Sequence, residues 1–233
     1  MDGTVSETGE WTLWAKPEKT FKSPGLNCSG FLLAASRFLL GRDFTIDMAK
    51  NDFFGDSGKG SPWGEDWDFG LDVALNLAGR DSPTVPPVGG HTAVSDPNGR
   101  PMGLGADIHG DGLLEALAAL KPGALYFFAI SKPDRRFPVG VSYYHNGIML
   151  PDGGRAMLYH STKRVGVHRL DLMNPNSLAT FRKSFPPIKG KGERRILFVE
   201  ARPFPCPSPP IGPPPPPSAT PGPAAPGGAA LPR

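Results

Sequence analysis

Val141-Ser142-Tyr143-Tyr144-His145-Asn146-Gly147-Ile148-Met149-Leu150 runs into Pro151-Asp152-Gly153-Gly154 and out again through Arg155-Ala156-Met157-Leu158-Tyr159-His160. Aromatic, β-branched and aliphatic residues on both sides of a Pro-Asp-Gly-Gly break read as two strands joined by a hairpin turn. Such pairing sets His145, near the start of one strand, beside His160, near the end of the next.

Working outward, residues 124–130 precede this hairpin as a strand, 165–170 follow it, and 194–201 supply a fifth. An irregular or helical stretch lies around 178–185. Upstream, 27–40 reads as a helix stopped by Gly41, with Asn27 as N-cap. There a side-chain oxygen can accept from an orphan N–H of the first turn. Phe31, Leu32, Ala35, Phe38 and Leu39 fall at helical spacing, so most of this helix is expected to be buried. A second helix, 112–120, ends at Lys121-Pro122-Gly123. Helices first and strands later is the α+β pattern, here an antiparallel sheet of about five strands burying one face against segregated helices.

Two segments look different. Residues 1–26 read as irregular. Residues 43–111 read as a Gly/Pro-rich insertion with one short helix at 71–78. Aromatic anchors (Phe53, Phe54, Trp63, Trp67, Phe69) pin it down, and a lid or substrate-shaping role fits a loop of that length. Glycine and proline make up 30 and 29 of the 233 residues, and 14 of those prolines fall in 203–233. The sequence therefore divides into a domain over 1–202 and a disordered Pro-rich tail over 203–233. The five-proline run 213–217 favours polyproline II and offers a possible SH3-like partner a docking strip, although a plain spacer is the more economical reading.

A net charge of +3 is too small for a dedicated nucleic-acid binder, and no nucleic-acid partner is expected. The longest apolar runs, 31–35 and 124–130, are far short of the ~20 residues that span a bilayer. No basic start followed by an apolar stretch marks a secretory leader. Two cysteines are too few for a disulfide scaffold or a zinc ribbon. No cofactor and no metal is expected. Asp107-Ile108-His109-Gly110-Asp111 with His91 has metal-binding residue types, but Asp-Gly stretches are more often turn chemistry.

Cys28 is the most informative position. A cysteine in the first turn of a helix faces outward-pointing N–H groups and the positive end of the macrodipole, so its thiolate is expected to be favoured. Paired with two histidines on adjacent strands, it has the nucleophile–base–orienter logic of a cysteine hydrolase. His168 alternates with apolar neighbours and reads as an outward-facing strand residue. Lys189-Gly190-Lys191-Gly192-Glu193-Arg194-Arg195 reads as a solvated hairpin end. Cys206 sits in the tail with nothing to activate it, and a Cys28–Cys206 disulfide is not expected.

Taken in order, these stretches resemble the NlpC/P60 superfamily of papain-like cysteine peptidases. Asn27-Cys28-Ser29-Gly30-Phe31 stands against that family's D-C-S-G-hydrophobic helix start, and Lys121-Pro122-Gly123-Ala124-Leu125-Tyr126 against its P-G-D-L strand. His145-Asn146-Gly147-Ile148 matches its H-V-G-I strand, and Leu158-Tyr159-His160-Ser161 the strand bearing its third catalytic residue. Asn27 stands where the family has Asp, and no tyrosine precedes Cys28. The resemblance implies a papain-like fold with Cys28 as nucleophile, His145 as base and His160 as orienter, and it groups Asn27, Ser29 and Tyr144 around the substrate. It further implies amide hydrolysis in the peptide stems of bacterial peptidoglycan, in the cell envelope or outside the cell. A thioesterase, acyltransferase or non-wall amidase on the same triad, or a non-catalytic interaction module, are the alternatives.

Overall fold

The computed structural model describes residues 2–23, 25–79, 105–189 and 192–201. The chain is α+β. A six-stranded antiparallel sheet forms from β3 (Ala106–Asp107), β4 (Leu125–Pro133), β5 (Val141–Asp152), β6 (Arg155–Thr162), β7 (Gly166–Asp171) and β8 (Arg195–Ala201). Their spatial order is β3-β8-β4-β5-β6-β7. The sixth strand, β3, is only two residues long, too short for alternation to announce it in the sequence. Near the N-terminus β1 (Gly3–Val5) and β2 (Trp11–Leu13) pair as a small hairpin where irregular chain was expected.

Strand alternation sends side chains to both faces of the large sheet, and both faces are covered. From β4, Phe127 and Ala129 join one core with Leu32 and Leu33 of α1 (Cys28–Leu40), Ile46 and Ala49 of α2 (Ile46–Lys50), and Leu71, Ala74, Leu75 and Ala78 of α3 (Phe69–Ala78). Tyr126, Phe128 and Ile130 point the other way. They pack with Leu113 and Leu117 of α4 (Gly112–Ala118) and with Leu178 and Phe181 of α5 (Pro175–Ser184). The expectation of one covered face gives way to a helix–sheet–helix sandwich. Each large apolar side chain buried this way contributes ~1.5–3 kcal/mol.

The segment after α1 also differs from the expected insertion. Phe44, Ile46, Ala49, Trp67, Leu71, Val73, Ala74, Leu75, Leu77 and Ala78 are all buried core residues, so 43–79 forms part of the body. Its glycines and aspartates make turns between short helices, which hid its apolar content from a reading based on punctuation. Residues 80–104, with His91, and the tail 202–233, with Cys206 and the proline run, lie outside the described residues, as do Gly190 and Lys191 of the basic run.

α1 carries the residue that matters most. Asn27 caps it, its Oδ1 accepting from the Gly30 N–H at 2.6 Å, and Gly41 ends it in the left-handed region with φ 60°. Its buried side is Ser29, Gly30, Leu32, Leu33, Ser36 and Leu40, while Phe38 is 87% exposed. The expected face, with Phe38 and Leu39 inward, is thus rotated. Small residues rather than large ones line the seam because α1 lies directly on β1: a Cβ on Gly30 would come within 2.3 Å of the Gly3 carbonyl oxygen.

Candidate active site

β5 and β6 part company halfway along their length. Their register holds from Asp152↔Arg155 to Ile148↔Tyr159. Beyond it, 141–147 continue along β4 alone and 160–162 along β7 alone. The result is a fork in the middle of the sheet, and the start of α1 is fastened across it. On one arm Asn146 Nδ2 donates to Ser29 Oγ at 3.1 Å; on the other Ser161 Oγ donates to the Leu26 carbonyl at 2.6 Å. A bulge between Ile130 and Ser131 gives β5 an extra residue, Tyr144, immediately before His145. Bulges of this kind re-aim neighbouring side chains.

The two histidines from the hairpin meet in the fork. His145 Nε2 lies 2.8 Å from His160 Nδ1. The chain of rings continues through His168, which was expected to face outward: His160 Nε2 lies 2.8 Å from His168 Nε2, and His168 Nδ1 lies 3.0 Å from the Gly166 carbonyl. His168 is therefore an inward partner of His160, directly opposite it in the β6–β7 register. Phe128, Phe181 and Phe185 surround the rings at centroid distances of 5.1–6.4 Å.

The terminal carbonyl orders this chain. An oxygen of Gly166 can only accept, so His168 Nδ1 carries a proton. In a neutral His168 the other nitrogen must then accept from His160 Nε2–H. His160 Nδ1 in turn accepts from His145 Nε2–H, which leaves the Nδ1 lone pair of His145 as the one free basic site. His145 and His160 are held neutral. Burial, then the charge of His168, pulls His145 down to about 4; burial, then His145 and His168, pulls His160 down to about 3.

Cys28 is a free cysteine in the first turn of α1. Burial pushes its thiol up, and the Asn146 backbone N–H, the Ser29 hydroxyl and the N–H groups of Ser29 and Cys28 pull it only partly back. The expected thiolate is thus overridden at rest, since removing a charge from water outweighs the donors of the helix start. The sulfur lies against the N–H of the residue that follows His145. Among the described residues no hydrogen bond joins it to an imidazole. The structure thus places Cys28 beside the fork and brings His145 and His160 together within it.

Asn27, Ser29 and Tyr144, expected around a substrate, have distinct placements. Asn27 is occupied as the helix cap and also donates from Nδ2 to Asp2. Ser29 is buried against Asn146. Tyr144 faces the cationic flank: its ring lies under Lys132 Nζ at 5.0 Å and the Arg194 guanidinium at 5.2 Å, and its hydroxyl accepts from Arg194. Burial, the largest cause, raises the Tyr144 phenol, and Cys28 adds to that rise, so the two groups are within electrostatic reach. The Asp107–Asp111 stretch is turn chemistry, with Asp107 accepting from the His109 N–H at 2.9 Å and His109 Nε2 donating to the Phe185 carbonyl at 2.8 Å. No family model, curated protein or solved structure matches the chain.

Proposed function

We propose that the chain is a cysteine hydrolase of amide bonds, of papain-like NlpC/P60 type, with Cys28 as nucleophile, His145 as general base and His160 as orienter. The observation that carries this reading is the ordered run of three imidazoles. It ends in a single unsatisfied lone pair, in the fork to which the Cys28 helix start is tied.

The chemistry starts from a neutral pair. As Sγ attacks the substrate carbonyl, the thiol proton passes to His145 Nδ1. His145 becomes imidazolium, and its Nε2–H bond to His160, already in place, stabilises the new charge. The Cys28 N–H at the helix start is oriented to donate to the developing oxyanion. His145 then protonates the leaving amine, and water releases the acyl group by the reverse sequence.

Peptide stems of peptidoglycan are the proposed substrate, supported by the residue resemblance and by the cations beside Tyr144. Lys132 and Arg194 suit a peptide that carries free carboxylates. Lys132 also lines an adjoining groove of about 460 Å³ with Arg135 and Arg136. Among the described residues no helix is long and apolar enough to cross a membrane. The test is to incubate the purified full chain with peptidoglycan stem peptides and, separately, with acyl thioesters. Release of new amines from the stems, reduced at least 10³-fold in Cys28→Ala, is expected. Turnover of thioesters alone would overturn the wall substrate, and equal turnover by Cys28→Ala would overturn the nucleophile.

A further inference from the structure

Away from the fork, three carboxylates converge where α3 begins. One oxygen from each of Asp52, Asp68 and Asp72 lies within 4.8 Å of the other two. Asp68 is the anomaly. It occupies the N-cap position of α3, yet its side chain makes no capping bond. It is 0% exposed, and neither of its oxygens has a hydrogen-bond partner. The Ser57 hydroxyl is near enough to favour its ionised form but does not complete a bond of ordinary geometry. Asp72, one turn along, is 3% exposed and accepts only a long 3.3 Å bond from the Phe53 N–H. Asp52 folds the preceding loop around itself by accepting from the N–H groups of Gly55, Asp56 and Ser57.

A helix cap that declines to cap, with an oxygen beside two further carboxylates, needs an explanation. An unpaired buried carboxylate costs several kcal/mol unless a positive charge neutralises it. Asp52 and Asp56 act on both Asp68 and Asp72, and Asp68 acts on Asp72, and each of these neighbours is another carboxylate. Burial, followed for Asp72 by Asp68, drives Asp72 up to about 9, and burial drives Asp68 up to about 6. The donor set is all oxygen, which selects a hard cation. Three protein carboxylates suit calcium, which takes six to eight oxygen ligands in flexible geometry, better than magnesium, which keeps several waters and takes one or two carboxylates.

We propose that Asp52, Asp68 and Asp72 form a calcium site that locks the 51–58 loop to the start of α3. This revises the expectation that the protein takes no metal, and it is independent of the role of Cys28. Its bearing on the fork is mechanical: α3 lies on β5 so closely that a Cβ on Gly70 would come within 3.1 Å of the Tyr143 carbonyl, two residues from His145. An ion here would stiffen the strand that presents the base.

The full chain, stripped with EDTA and dialysed, is titrated with CaCl2 and in parallel with MgCl2, following heat of binding and thermal unfolding. One calcium per chain is expected, with Tm raised by about 5–10 °C at a hundred times Kd. Asp68→Asn and Asp72→Asn should each lose the shift and bind calcium at least ten-fold more weakly. Both should stay folded in EDTA, because an amide keeps the shape of the carboxyl and leaves no charge to bury. Asp47→Asn, on the exposed side of α2, should keep the full shift. No heat and no shift in the wild-type chain would overturn the site, as would an undiminished shift in both variants. A response to magnesium without one to calcium would overturn the choice of ion.

Discussion

His168 shows how much one side chain can settle. Its Nδ1–H bond to Gly166 fixes the direction of two further bonds and thereby frees the Nδ1 lone pair of His145. Glutamine at this position can accept from His160 through its amide oxygen, whereas leucine cannot. His168→Gln should therefore keep measurable turnover, and His168→Leu should lower kcat about ten-fold or more with KM little changed. Equal kcat in the two variants, measured on the same substrate, counts against the proposed relay. The meeting of His145 with His160 is legible in the sequence, because strand patterning and a tight turn determine who faces whom. His168 was legible in principle, since it and His160 stand symmetrically about Arg164. Its alternation with Val167 and Arg169 concealed this, because period-two patterning tells sides apart without saying which side is solvent. The resting protonation of Cys28 was not legible, since it depends on burial by residues distant in sequence.

At the scale of elements, α1 is positioned by what it lacks. Gly30 lets the helix touch β1, and Asn27 N–H donates to the Gly3 carbonyl at 2.9 Å at the same seam. Gly30→Ala should destabilise the protein by about 1–3 kcal/mol, read as a lower midpoint in urea with unchanged slope, because the clash is with backbone that cannot rotate away. An unchanged midpoint would mean that α1 does not sit on the hairpin. The helix itself and all five expected strands lie within a few residues of their expected bounds, since their apolar runs are long and bounded by Gly or Pro. The β1–β2 hairpin is not legible, because three-residue strands carry no readable period. The inward face of α1 is hidden for a different reason: its contacts are with backbone, which favours Ser and Gly over Phe38.

Across the whole molecule, burying neutral imidazoles between two cores has a cost that depends on acidity. With His160 held at about 3 against an ordinary 6.5, the unfolded chain takes up a proton that the folded chain refuses. Stability from this ring is complete above pH ~6.5 and declines as pH falls toward ~3, at up to ~1.4 kcal/mol per unit. The raised carboxyls Asp68 and Asp72 act with the opposite sign, so the contribution is best read as a difference. Wild type minus His160→Gln should fall by about 2 kcal/mol between pH 7 and pH 5 in denaturant titrations. A difference that stays flat would show that the ring is solvated. The body formed by 43–79 is the part of the molecule least legible in the sequence. Its core residues are separated by turns every few positions, so no window is long enough to show a period, and only the assembled sandwich reveals which of them are inside.

The two-glycine reversal at Gly153 and Gly154, with φ of 52° and 83°, also acts as a ruler. It fixes the count of residues from the bend to each histidine. A slip of the β5–β6 pairing by one residue would carry His160 to the opposite side of its strand, although every strand would survive. Keeping the two imidazoles in contact thus means keeping an integer as well as side chains: the offset between the strands that this bend sets.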